Sequence, residues 1–229
     1  MIRLPVTGIA VLDHDRDRGI SRAVERDNDL TAYDPRIRQL LCPLIPVGGV
    51  VVDGGAFIGD HTVAYAEAVG PTGKVWAFEC GHAALECLAV NTAHLPQVQI
   101  VTAALDEQPR TVGLQLNWLS ESCNEISADV VTEGVPAIDL DAFTFDRLDY
   151  VKLDVEGYEL RALRGARRTL AQHRPIVVVE SGRQLERYGD SHEDLVAFML
   201  DLGYDCETLP YQHAFHDVFD VLCRPQAAS

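Results

Sequence analysis

The sequence predicts an α/β fold built around a parallel sheet, and three observations carry that prediction. Short apolar runs alternate with helix-like stretches from Val50 onward, the pattern of βαβ units. Four of these runs stop on an acid: Asp53, Glu79, Asp154 and Glu180. Between the first run and the first helix lies a glycine turn, VVVDGGAFIGDHT at 50–62. A chain of 229 residues fits one such domain. We divide it into an N-terminal extension, 1–46, expected to cover the active site, and a main domain, 47–229.

The first strand is read at 50–53 and its helix at about 60–69. Gly70-Pro71-Thr72-Gly73 then turns the chain. A second strand at 74–78 ends on Glu79, a helix follows at about 82–94, and a third strand covers about 98–103. Residues 108–138 alternate apolar and polar side chains, which predicts a hairpin pairing TVGLQLNW with 124–132. The fourth strand, 148–153, ends on Asp154 and precedes a helix at about 159–172. The fifth, 176–179, ends on Glu180. A last helix at about 193–202 leads to two terminal strands, near 204–206 and 218–222. Residues 1–46 read as polar and irregular, apart from a short amphipathic helix from Pro35 to Leu44.

Charge and cysteine usage restrict the function. The formal net charge of -16 disfavours a nucleic-acid partner, which normally meets a basic surface. No run approaches the ~18 apolar residues of a membrane span, and no signal peptide is visible, so the expected location is cytoplasmic with no membrane partner. The six cysteines show neither C-x-x-C pairs nor zinc spacing and are expected to be reduced thiols. Homo-oligomerisation stays open.

Glycines at a strand tip let a ligand approach the backbone, and the following helix directs N–H groups toward it. Here Gly54, Gly55 and Gly59 do not match the G-x-G-x-x-G dinucleotide spacing. Asp53 at the tip would repel phosphate but accept from donors or attract a cation. S-adenosylmethionine, with a sulfonium and an ammonium, suits that turn better than a pyrophosphate. In a parallel sheet the four strand-end acids share one edge and should converge on one cleft. Glu79 stands where a second-strand acid holds ribose hydroxyls, and its two oxygens can accept from both. The plain alternative is that these acids only cap helices.

The chain resembles the FkbM family of S-adenosylmethionine-dependent methyltransferases. The matching pieces are VVDGGAFIGDHT at 51–62, VWAFEC at 75–80, CLAVNTAHLP at 87–96, LDYVKLDVEGYELRALRGARRTL at 148–170 and RPIVVVES at 174–181. The resemblance implies a class I methyltransferase, Rossmann-like fold with seven strands, the last antiparallel. It also implies O-methylation of sugar or natural-product hydroxyls. Cofactor contacts carry over to Asp53, Gly54, Gly55, Ile58, Gly59, the His61-Thr62 helix start, Glu79, Cys80 and the Ala104-Leu105 turn. Cys80-Gly81 replaces the proline that often follows the second-strand acid in that family.

The acceptor is expected to be a sugar or another small molecule. Its hydroxyl must lose a proton, which calls for a base within hydrogen-bond reach. Glu156 is the first choice, with Asp154 and Glu180 as further candidates. A magnesium ion held by Asp154 and Glu156 is a less favoured arrangement. Tyr33, Asp34, Trp118 and Asn124 are candidate acceptor contacts, set against their reading as ordinary core or surface residues. A nicotinamide oxidoreductase and a non-catalytic nucleotide-binding module remain the competing functions.

Overall fold

The computed structural model describes residues 1–13, 16–31, 33, 37–115, 124–127, 134–209 and 217–227. A small antiparallel pair, β1 (Ile2–Arg3) and β2 (Ala10–Val11), opens the chain, followed by α1 (Ile20–Asp27). The α/β core then runs β3 (Val50–Gly54), α2 (Asp60–Val69), β4 (Lys74–Glu79), α3 (His82–Thr92) and β5 (Val98–Thr102). An inserted region contains β6 (Ala104–Leu105), β7 (Arg110–Gln115), β8 (Glu125–Ser127) and β9 (Gly134–Ile138). The core resumes with β10 (Tyr150–Leu153), α4 (Glu159–Arg164), α5 (Arg167–His173), β11 (Ile176–Gly182), α6 (His192–Asp201), β12 (Tyr204–Thr208) and β13 (Val218–Pro225).

The main sheet has seven strands in the order β5-β4-β3-β10-β11-β13-β12. β13 lies antiparallel to both its neighbours, and every other pairing in this sheet is parallel. The order reverses between β3 and β10, and such a reversal opens a crevice at the strand carboxyl ends. The central strands are covered on both faces, so their side chains read as near-continuous apolar runs. One face buries Val52, Leu153, Val177 and Val179 against α4, α5 and α6. The other buries Val51, Tyr150, Val178 and Leu222 against α2, Leu41 and Ile45.

Residues 1–46 carry more structure than expected. Asn91 of α3 fastens the opening hairpin: its side chain accepts from Ala10 N at 2.7 Å and donates to Ala10 O at 2.9 Å. The helix expected from Pro35 to Leu44 is instead a π turn over Ile37–Leu41 and a 3-10 turn over Cys42–Leu44. Pro43 has no N–H to continue an α-helix there.

The helix read at 159–172 is two helices broken at Gly165. A Cβ on Gly165 would lie 1.9 Å from the Asp106 carbonyl oxygen, so the backbones meet at this break. β11 continues past Val179 to Gly182, placing Glu180 inside the strand opposite Asp220 of β13. The predicted hairpin forms as β7 with β8, while residues 128–133 lie outside those described. Ala104-Leu105, expected as a turn, is β6, parallel to β9.

Cys206 and Cys223 are joined by a disulfide, which corrects the expectation of six reduced thiols. They face each other in register on β12 and β13, a proximity that their separation of 17 in sequence conceals. Cys42, Cys80 and Cys87 are thiols outside any disulfide, and Cys123 lies outside the described residues. Among the described residues, no helix is long and apolar enough to cross a membrane.

Candidate active site

A cleft opens at the carboxyl ends of β3, β4 and β10, with about 590 Å³ of empty space, part of it open solvent. Gly55, Glu79, Cys80, Ala104 and Leu105 line it, together with Asp154, Glu156 and Asn124.

Gly55 makes the close approach possible. At φ +83°, a Cβ there would lie 1.9 Å from the carbonyl oxygen of Asp154. Its N–H donates to Phe78 O at 3.0 Å, so three strand tips are gathered around one glycine.

Glu79 holds the cleft rim as well as facing the cleft. Its Oε2 accepts from Phe57 N at 2.9 Å, and Oε1 accepts from Cys80 N at 2.7 Å and Gly81 N at 2.6 Å. A carboxylate has about four lone-pair sites, so these three bonds leave room for one further donor. Burial raises its pKa, and those backbone donors oppose the rise.

Asp53 is 1 % exposed and accepts from Thr62 Oγ1 at 2.5 Å. Burial pushes it up to about 6, against the pull of Thr62 and Lys152. Asp60, at the first turn of α2, is pushed up to about 8 by burial and then by Asp53.

The D-V-E-G-x-E segment has a clear mechanical role. Glu159 Oε1 accepts from Val155 N at 2.9 Å and Gly157 N at 3.1 Å, fastening the turn that carries Glu156. Glu156 sits at φ 57°, a strained conformation for a residue with a side chain. Burial lifts Glu159 to about 7. Glu180 is 8 % exposed and accepts from Gln184 Nε2 at 3.1 Å. Burial raises it well above the ordinary carboxyl value, followed by the charges of Asp154, Glu156 and Glu159.

The structure therefore brings together only some of the predicted residues. Asp154, Glu156 and Asn124 reach the cleft, whereas Glu180 is not among the residues lining it. Nor do Asp53, Gly54, Gly59, His61 or Thr62 line it, though Asp53 and Thr62 support its floor through their mutual bond. Ile58 is fully buried in the core beneath the opening hairpin. Tyr33 is 45 % exposed and does not line the cleft, and no other described residue of 1–46 does. Asp34 and Trp118 lie outside the described residues. Among those described, no group of three His, Cys, Asp or Glu is arranged to hold a metal.

Sequence reasoning missed Phe57, Tyr158 and Lys152. Phe57 lines the cleft at φ 46°. Tyr158 lines it too, with its hydroxyl donating to Asp106 Oδ2 at 3.2 Å and accepting from Arg110 at 2.5 Å. The available signal was position: Tyr158 follows Gly157 directly, and Lys152 interrupts an otherwise apolar strand.

The raised carboxyls predict a pH dependence. Asp53, Asp60 and Glu159 have folded-state values of about 6, 8 and 7, above their ordinary 3.8, 3.8 and 4.5. Such groups stabilise the fold while protonated, and that contribution disappears as pH rises through the folded-state values. Thermal melts of the ligand-free protein should therefore show Tm falling between pH 5.5 and 8.5. A Tm that rises over this interval contradicts the assignment.

Comparison with known proteins places this geometry. The family model described as the methyltransferase FkbM domain matches residues 53–206, more than half of the chain. The structure of methyltransferase FkbM from Methylobacillus flagellatus is similar at TM-score 0.53 and 19% identity, over 76% of this chain and 43% of that one. This chain thus spans less than half of that relative. A putative rRNA methylase from Clostridium thermocellum matches at TM-score 0.54 and 13% identity, over 82% and 95% of the two chains. Fibrillarin from Aeropyrum pernix, solved with natively bound S-adenosyl-L-methionine, matches at TM-score 0.52 and 9% identity, over 79% and 68%. No curated protein matches the sequence. The seven-stranded order, the cleft at its reversal point and the family match lead to one assignment: the chain belongs to the FkbM methyltransferase family.

Proposed function

We propose that this protein methylates a hydroxyl oxygen of a sugar or small natural product, in the cytoplasm, using S-adenosylmethionine. The observation that carries this reading is the pair Asp154 and Glu156 lining the same cleft as Gly55 and Glu79. Gly55, Glu79, Cys80, Ala104 and Leu105 would hold the adenosyl group, with Glu79 offering its remaining lone pair to a ribose hydroxyl. When bound, the cofactor supplies an electrophilic methyl group. The chain's part is to align the acceptor and receive its proton on Glu156 or Asp154. Asn124 would meet either ligand from the β8 side. The carboxylates around the cleft favour neutral or cationic acceptors over phosphate-rich ones.

The test is transfer of tritiated methyl from adenosylmethionine to a panel of neutral glycosides, phenolic natural products and ribosomal RNA, with and without EDTA. The expected result is label on a neutral hydroxyl compound, unchanged by EDTA. Label confined to RNA overturns the acceptor class, and loss of turnover in EDTA restored by magnesium would put a metal at Asp154 and Glu156.

A further inference from the structure

Lys152 is an unusual residue for the middle of a buried sheet. It is 1 % exposed, on a four-residue strand whose members are all buried. Its side chain lies on the α2 face of β10, since strand side chains alternate and Tyr150 belongs to that face. Nζ donates to Asp154 Oδ2 at 3.1 Å and lies 3.7 Å from Asp220 Oδ1. Its register partner on β3 is Asp53, and Glu180 faces Asp220 across β11 and β13. Four adjacent strands thus bring carboxyls around one ammonium.

A buried lysine without partners would lose its proton or destabilise the fold. Burial does lower this one, but Asp154, Asp220 and Glu180 reverse the effect and hold it well above the ordinary lysine value. Of its partners, Asp154 faces the cleft, with a side chain 33% exposed, whereas Asp220 is sealed at 3%. Asp60 of α2 interacts with both Lys152 and Asp154, and Glu159 at the start of α4 interacts with Asp154. Those are acids. Without Lys152, Asp154 would face them with no buried cation beside it.

We propose that Lys152 is a positioning residue for methyl transfer: its buried ammonium holds the Asp154 side chain facing the cleft, where it orients the acceptor. This rests on the methyltransferase reading above and extends it to a residue that does not line the cleft. The lysine takes no proton from the acceptor. It sets the geometry of the group that meets it.

The chain has only two lysines, Lys74 and Lys152, which makes a direct test practical. In the whole protein labelled with nitrogen-15 at lysine Nζ, Lys74 is the internal control. The expected Lys152 signal is that of an ammonium still protonated at pH 9 and protected from solvent exchange, and it moves in Asp154→Asn. A Lys152 signal of a neutral amine below pH 8, or one indifferent to Asp154→Asn, overturns the proposal. Kinetics supply the second readout, on the acceptor found in the methyl-transfer screen. Lys152→Met should lower kcat about tenfold or more at neutral pH and move the acid limb of the profile to higher pH. Adenosylhomocysteine affinity should stay within about threefold, and Lys152→Arg should recover most of the rate. A Lys152→Met enzyme with normal kcat and an unmoved profile also overturns the proposal. If that variant does not fold, the lysine spectra of wild type and Asp154→Asn decide. Wild type that binds no adenosylhomocysteine would instead remove the methyltransferase reading, leaving the charge pairing to be judged by the spectra.

Discussion

Gly55→Ala is expected to abolish measurable binding of adenosylhomocysteine. The new Cβ would lie 1.9 Å from the Asp154 carbonyl oxygen, a main-chain atom that no rotamer change can move aside. Relief requires the tips of β3 and β10 to separate, and these tips are held by Asp154 N donating to Gly54 O at 3.0 Å. The position also needs φ +83°, which costs a side-chain-bearing residue roughly 1–2 kcal/mol before any clash. Both effects fall on the floor of the cleft. Gly189→Ala is a suitable control, because it shares a positive φ of 76° but has nothing within 4 Å of the added carbon. It should lose some stability and keep its affinity. Calorimetry on both variants decides the matter, and normal binding by Gly55→Ala would mean that the ligand lies elsewhere.

Glu156→Gln should lower turnover by ~10²–10⁴-fold while leaving adenosylhomocysteine affinity nearly constant. The substitution keeps the shape of the side chain but removes its capacity to take a proton. Glu156 is held at a strained φ of 57° on a turn that Glu159 fastens through two backbone N–H groups. Strain of this kind persists only where surrounding structure enforces it, and it collects at functional sites. Asp154→Asn provides the comparison, because Asp154 shares the cleft but is tied to Lys152. Near-normal kcat in Glu156→Gln, alongside a dead Asp154→Asn, would transfer the role of base to Asp154.

The sheet was legible because its strands announce themselves. β3, β4, β10 and β11 are short apolar runs, each followed by a helix, and their boundaries fell within a few residues of the expectation. The convergence of Asp154 and Glu79 followed from the parallel topology alone. Other features were hidden because long-range contacts create them. Gly165 breaks a helix through contact with the Asp106 backbone, and Cys206 meets Cys223 only through strand register. Glu180 looked like a strand-end acid because the apolar run stops at Val179. Pairing with β13 carries the strand onward and buries Glu180 opposite Asp220. The side-chain partners of His61 and Thr62 were not legible either. Thr62 turns inward to Asp53, and His61 Nδ1 meets the Tyr65 hydroxyl at 3.3 Å.

The cleft bounded by Gly55 and Glu79 is proposed to hold an adenosyl cofactor of the methyl-transfer type. Calorimetric titration of the wild-type chain with adenosylhomocysteine, adenosylmethionine and NAD, repeated with Glu79→Ala, tests it most directly. The expected results are micromolar binding of adenosylhomocysteine, no comparable binding of NAD, and a loss of ~1–3 kcal/mol in Glu79→Ala as the charged hydrogen bond to ribose disappears. Equal affinity in wild type and Glu79→Ala, or tight NAD binding, would contradict it.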